Sequence, residues 1–157
     1  MKLIFLDVDG VLNSEKHYIK LDKQGKSTFS DDMELQKHSL KYLSNLVKKT
    51  GAEVVISSTW RMGCPDDKSW INLLSQLEEY SIVPQGITPI KWEKRGLEIQ
   101  EYLDNLISDG YNIDGMVIID DDADMEHLSD FLVQTSFKRG FTYFDYRKAL
   151  KILKKGV

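Results

Sequence analysis

Three short, unbroken apolar runs stand out along the chain: Leu3-Ile4-Phe5-Leu6, Val54-Val55-Ile56 and Met116-Val117-Ile118-Ile119. A fourth and weaker run is Phe131-Leu132-Val133. Continuous, β-branched runs predict strands buried on both faces, as in a parallel sheet. Between them the apolar spacing turns helical. From Asp32 to Lys49, the residues Leu35, Leu40, Leu43, Leu46 and Val47 approximate one stripe, and Gly51 supplies a stop. Trp70, Leu73, Leu74 and Leu77 predict a helix over 69–80, and Leu97, Tyr102, Leu103, Leu106 and Ile107 another over 95–108. A last helix is expected over about 145–154. The stretch from Tyr18 to Phe29, alternating around Lys23-Gln24-Gly25-Lys26, reads as a small hairpin. Strands alternating with helices predict an α/β fold, a three-layer sandwich around a mostly parallel sheet.

Each strong run ends at residues able to do chemistry: Asp7, Ser57 and Asp120. In open α/β sheets, ligands bind beyond the carboxyl ends of the strands, so neighbouring parallel strands would bring all three to one crevice. Asp7 and Asp9 lie two apart on an extended segment and face the same way. Two carboxylates roughly 4 Å apart repel by about 1 kcal/mol in water and about 4 kcal/mol at an effective dielectric near 20. Four more fall within Asp120-Asp121-Asp122-Ala123-Asp124. Gathered in one crevice, these acids call for a divalent cation, and all-oxygen ligation suits Mg²⁺. His17, His38 and His127 show no paired spacing, which speaks against zinc. Ser57, Ser58 and Arg61 offer hydroxyls and a guanidinium to phosphate oxygens. Lys94 and Arg95, at the start of a helix, put positive charge where the helix dipole disfavours it, as a ligand-serving cation would be.

Composition narrows the class further. With 157 residues, one domain is expected, over 1–157, and 41% hydrophobic with 29% charged residues is ordinary for a soluble globular chain. A net charge of −4 does not suggest a protein that coats nucleic acid. The single cysteine, Cys64, excludes an internal disulfide, and no apolar run is long enough to span a bilayer. A cytoplasmic location, without membrane association, is the expectation.

The ordered set of FLDVDGVL, VVIS, KRG and VIIDDDAD resembles the four motifs of the haloacid dehalogenase (HAD) superfamily of phosphotransferases. The combination of ISSTWR with DDDADM resembles, more narrowly, the HAD domains of RNA-repair proteins, which are similar to the 3′-phosphatase half of polynucleotide kinases. The resemblance implies a Rossmann-like fold and a phosphatase that needs no haem or nucleotide cofactor. Asp7 would be the nucleophile and form a phosphoaspartate. Asp9 would serve as general acid and then base. Ser57, or the adjacent Ser58, would bind the phosphoryl group, and Arg95 or Lys94 would steady its charge. Mg²⁺ would be held by Asp7, the main-chain carbonyl of Asp9, and Asp120 with Asp121.

The inserts from Asn13 to about Asp31 and from Arg61 to Lys94 are too short for a cap domain. An open site suits a bulky phosphoester such as a nucleic-acid end, on which Trp60 and Trp92 can stack a base, although packing is the commoner use of Trp. Three other readings compete: a small-molecule phosphatase such as a 5′-nucleotidase, a receiver-like phosphoacceptor and a HAD domain that only binds. In receivers, however, the paired acids follow the first strand and the phosphoacceptor comes later, the reverse of the order here.

Overall fold

The computed structural model describes residues 1–156. Five strands, β1 (Lys2–Leu6), β2 (Glu53–Ile56), β3 (Gly86–Ile87), β4 (Gly115–Asp120) and β5 (Leu132–Gln134), form one sheet in the order β3-β2-β1-β4-β5. Every pairing is parallel. The helices are α1 (Glu15–Lys23), α2 (Lys37–Thr50), α3 (Lys68–Glu79), α4 (Arg95–Ser108) and α5 (Tyr143–Lys155).

Alternate residues of β1 feed two cores. Ile4 and Leu6 join α2, α3 and α5 through Leu43, Leu46, Leu73 and Leu153, whereas Leu3 and Phe5 pack against Ile99 and Leu103 of α4. Helices therefore cover both faces, and the fold is the expected three-layer α/β sandwich. All six residues of β4 are buried, as its unbroken apolar run requires.

Departures from the sequence reading are local. The segment expected as a hairpin holds helix α1 instead. Ser14 Oγ accepts the His17 N–H at 3.2 Å, Glu15 lies in the first turn and Lys20 and Lys23 in the last, all favourable to the helix dipole. Leu21 is the buried anchor, and Gly25 marks the end of the helix rather than a hairpin turn. Helix α2 begins at Lys37, because residues 31–36 run irregularly and bury Met33 and Leu35 from a loop. Helix α5 begins at Tyr143, set by a capping box between Thr142 and Asp145. Strand β3, two residues long, has no apolar run to announce it. Among the described residues, no helix is long and apolar enough to cross a membrane.

Candidate active site

Leu6 pairs with Ile56 on one side and Ile119 on the other, so the three central strands end level. The ladder continues one step further: Asp7 N–H donates to Ile119 O at 3.0 Å and Ser57 N–H to Leu6 O at 2.9 Å. Asp7 thus stands between Ser57 and Asp120 at the carboxyl edge. Oxygens of Asp7, Asp120 and Asp121 lie within 4.8 Å of one another.

The turn after β1 is built for close approach. Gly10 has φ +73°, and a Cβ there would lie 2.5 Å from Asp121 Cγ, so only glycine lets the acidic loop close over it. Asn13 accepts the Gly10 N–H through Oδ1 (3.0 Å) and donates through Nδ2 to Asp9 Oδ1 (2.8 Å). The other Asp9 oxygen accepts the Trp60 indole N–H at 3.0 Å, and Tyr18 O–H reaches Oδ1 at 3.5 Å. The Asp9 carboxylate is thereby fixed and stays out of the acidic trio. Trp60 is buried. It orients Asp9 and offers no face for a base. Asn13 was missed from sequence; its one signal is an amide four residues beyond Asp9.

The trio is electrostatically unsatisfied. Burial raises the Asp7 pKa to about 6, against opposing hydrogen bonds from Val8 and Ser58 and the attraction of Arg95. Burial, followed by repulsion from Asp7, raises Asp120 to about 8. Asp121 is raised by burial and by Asp122. Asp120 Oδ1 accepts the Asp122 N–H at 3.0 Å, but Oδ2 is buried without any hydrogen-bond partner. An orphaned carboxylate oxygen among like charges fits a hard divalent cation held by Asp7, Asp120 and Asp121.

The cations predicted for the site part company. Arg95 faces it, with Nε 3.6 Å from Asp120 Oδ2. Lys94 pairs with Glu126 at the surface. Arg61, expected to grip phosphate, is buried and fully committed to the protein. Its Nε donates to Thr88 O, Nη1 to Ser57 O and Ser58 O, and Nη2 to Pro89 O and Glu98 Oε2 (2.6 Å). Five donors with five partners leave none for a ligand. Arg61 instead fixes the carbonyls of the Ser57–Ser58 turn, and Glu98, unflagged by any sequence motif, is its counter-ion. Asp124 accepts the Arg95 N–H at 3.0 Å and so anchors the start of α4. Gly96 follows because a Cβ there would sit 2.3 Å from Met125 O.

Ser57 and Ser58 are both buried. Ser58 Oγ accepts the Trp60 N–H at 3.3 Å, whereas Ser57 Oγ and the neighbouring Thr88 Oγ1 have no partner. Beside the trio opens a cavity of about 110 Å³, bounded by Thr59, Trp92, Arg95 and Asp122 among others. Trp92 is 80% exposed at its rim, on a left-handed backbone with φ +59°. Packing, the commoner use of Trp, holds for Trp60 and fails for Trp92.

A family model described as the HAD domain in Swiss Army Knife RNA repair proteins matches residues 3–145 of the chain. Among curated proteins, none matches.

Proposed function

The chain belongs to the HAD domains of Swiss Army Knife RNA repair proteins, and from that premise we propose that it hydrolyses 3′-phosphate ends of nucleic acids through a phosphoaspartate on Asp7. Membership supports a phosphohydrolase of the HAD type in general; the cation, the covalent intermediate and the substrate are our reading. One observation carries it: Asp7 follows β1 beside Ser57 and shares an acidic trio with Asp120 and Asp121, whose unpartnered Asp120 Oδ2 lies 3.6 Å from Arg95 Nε.

In this reading Asp7 Oδ attacks phosphorus in line, and the ester oxygen departs with a proton from Asp9. Asp9 then takes a proton from the water that attacks the phosphoaspartate, releasing phosphate and restoring Asp7. The three donors around Asp9 hold it in one orientation for both steps. Ser57 Oγ, unpartnered in the free protein, donates to the transferring phosphoryl group, and Ser58 steadies the Asp7 carboxylate. Arg95 offsets the charge gathering on the phosphoryl oxygens. Mg²⁺, held by Asp7, Asp120, Asp121 and the main chain of Asp9, would neutralise the charge of nucleophile and phosphate. The inserts leave the crevice open, which favours a phosphate on a bulky leaving group.

The test is phosphate release from an aryl phosphate, a 5′-mononucleotide and a 3′-phosphorylated oligonucleotide, with Mg²⁺ or with EDTA. Turnover that requires Mg²⁺, prefers the oligonucleotide and vanishes in Asp7→Asn is the expected result. Beryllofluoride should be trapped by the wild type and not by that variant. Undiminished turnover in Asp7→Asn would sink the covalent mechanism, and a preference for the mononucleotide would sink the strand-end substrate.

A further inference from the structure

A second feature on the same edge of the sheet is absent from every motif. Between α1 and α2 lies a cavity of about 650 Å³ whose wall carries Lys16, Lys20, Lys26, Lys37, Lys41 and Arg139 against one acid, Glu34. That is a local charge of +5 in a chain whose net charge is −4. Surface cations are common, but here they line a concavity with a built wall. The buried Gln36 accepts the Ser14 hydroxyl through Oε1 at 2.5 Å and donates through Nε2 to Arg139 O at 2.9 Å. It thereby ties α1, the approach to α2 and the Arg139 turn together. The same turn is pinned to the start of α1, where Glu15 N–H donates to Phe137 O at 2.9 Å.

The cavity adjoins a second one that reaches residues bracing the active-site loops. A neighbouring cavity of about 660 Å³ shares His38, Arg139 and Thr142 with it and extends to Gln134 and Thr135. Those two residues hold the catalytic loops: Gln134 Nε2 donates to Asp121 O at 3.0 Å and Thr135 Oγ1 to Gly10 O at 2.7 Å. At the other end, Ser14 on the basic wall directly follows Asn13, which holds Asp9. The second cavity is lined by aromatic rings, with Phe144 75% and Tyr143 44% exposed. One trough, made of the two adjoining cavities, therefore leads from the residues that brace the acidic loop, past exposed rings, into a cluster of cations.

We propose that this trough holds the single strand of a nucleic acid, its bases stacked on Phe144 and Tyr143 and its phosphodiesters along Lys20, Lys41 and Arg139. Rings that accept any base, next to cations that track phosphates, are the two components of strand binding without sequence preference. A membrane surface is flat and cannot enter a concavity between two helices, and a peptide does not pair a π-face with an anionic group at every unit of its chain as a nucleic-acid strand does. The inference rests on the strand-end reading for its use, since a strand held here would extend toward the loops that carry Gly10 and Asp121, but its test does not require turnover.

A fluorescent single strand of about 12 nucleotides with a 3′-hydroxyl end has no phosphate to release, so its anisotropy reads binding alone. Lys20→Glu with Lys41→Glu should weaken binding at least tenfold at low salt. Each Lys→Ala change should flatten the slope of log K against log salt by about 0.7. Phe144→Ala should weaken binding roughly five- to a hundredfold. In turnover, the same variants should raise KM for the 3′-phosphorylated strand and leave the aryl phosphate untouched. Strand affinity unmoved by these changes overturns the inference. So does equal binding of inorganic polyphosphate that is indifferent to Phe144→Ala. Binding that behaves as expected, with no phosphate released from any strand, upholds the trough and overturns the proposed function instead.

Discussion

Replacing Asp120 by Asn should make the metal-free protein more stable at neutral pH, although it removes a residue of the site. In the unfolded chain Asp120 titrates near its ordinary value of 3.8; in the folded protein burial and the neighbouring Asp7 push it up to about 8. Between those values the folded state keeps a proton that the unfolded state releases, so stability falls as pH rises through the window. At pH 7 the gap from 3.8 amounts to about 4 kcal/mol at 1.36 kcal/mol per pH unit. Asp7 shares part of that repulsion, which brings the expected gain from substitution to about 2–4 kcal/mol. Asn mimics the protonated acid: its Oδ1 can keep the Asp122 N–H, and its amide can donate toward Asp7. For a chain of this length the gain is roughly 5–15 °C in Tm. The measurement is thermal unfolding in EDTA at pH 4 and pH 7. The variant should match the wild type at pH 4 and exceed it at pH 7. Adding Mg²⁺ at about 100 times its Kd should then raise the wild type by about 2.7 kcal/mol and the variant by much less. A variant less stable than wild type at pH 7, or a difference independent of pH, would refute the argument.

Trp60→Phe removes one charge-assisted hydrogen bond to Asp9, worth about 1.5–3 kcal/mol. The kcat for a nucleoside phosphate should fall about 10- to 100-fold, while an aryl phosphate, whose leaving group needs little acid help, should be hardly affected; equal losses would point to a packing defect. Arg61→Met leaves the buried Glu98 with only the longer 3.4 Å contact to Arg95 as counter-charge and should cost about 3–5 kcal/mol in urea unfolding. A raised KM at unchanged stability would return Arg61 to the role of phosphate ligand. Trp92→Gly relieves a left-handed backbone and should stabilise by up to about 1 kcal/mol. It should also raise KM for strand substrates, and an unchanged KM would make Trp92 an idle surface residue.

What the sequence exposed of this site depended on how locally each feature is encoded. Asp7, Ser57 and Asp120 were legible because each ends an apolar run, and parallel strands in register bring such ends together. The choice between Arg61 and Arg95 was not legible. Both are arginines near a motif, and both touch Glu98; they differ in the remaining partners supplied from elsewhere, with Thr88 and Pro89 consuming the first while Asp120 faces the second. Trp60 and Trp92 divide in the same way. Strand β3 stayed hidden because two residues carry no periodicity. Its edge position is set by Gln85 N–H and Thr88 N–H bonding to Val54 O and Ile56 O.

The misread hairpin shows how one local error changes the functional picture. As a hairpin, residues 18–29 would protrude just after the first strand. As helix α1, capped by Ser14 and anchored by Leu21, the same stretch lies against the body of the fold. That placement sets Lys16 and Lys20 in one cavity wall with Lys37 and Lys41 of α2. Clustering like charges along a cavity weakens the folded state through repulsion, and no ion pair besides Lys26 with Glu34 relieves it among the described residues of that wall. The acidic trio carries the opposite burden a few residues away. A bound cation would relieve the trio and a bound polyanion the basic wall, so a strand whose phosphate end reaches the cation would satisfy both. On these grounds Mg²⁺ and a 3′-phosphorylated strand should each tighten the other's binding to the Asp7→Asn variant, which cannot turn over. Titration of the strand with and without Mg²⁺ reads that coupling directly. Identical affinities in the two titrations would mean that the acidic centre and the basic trough serve different ligands.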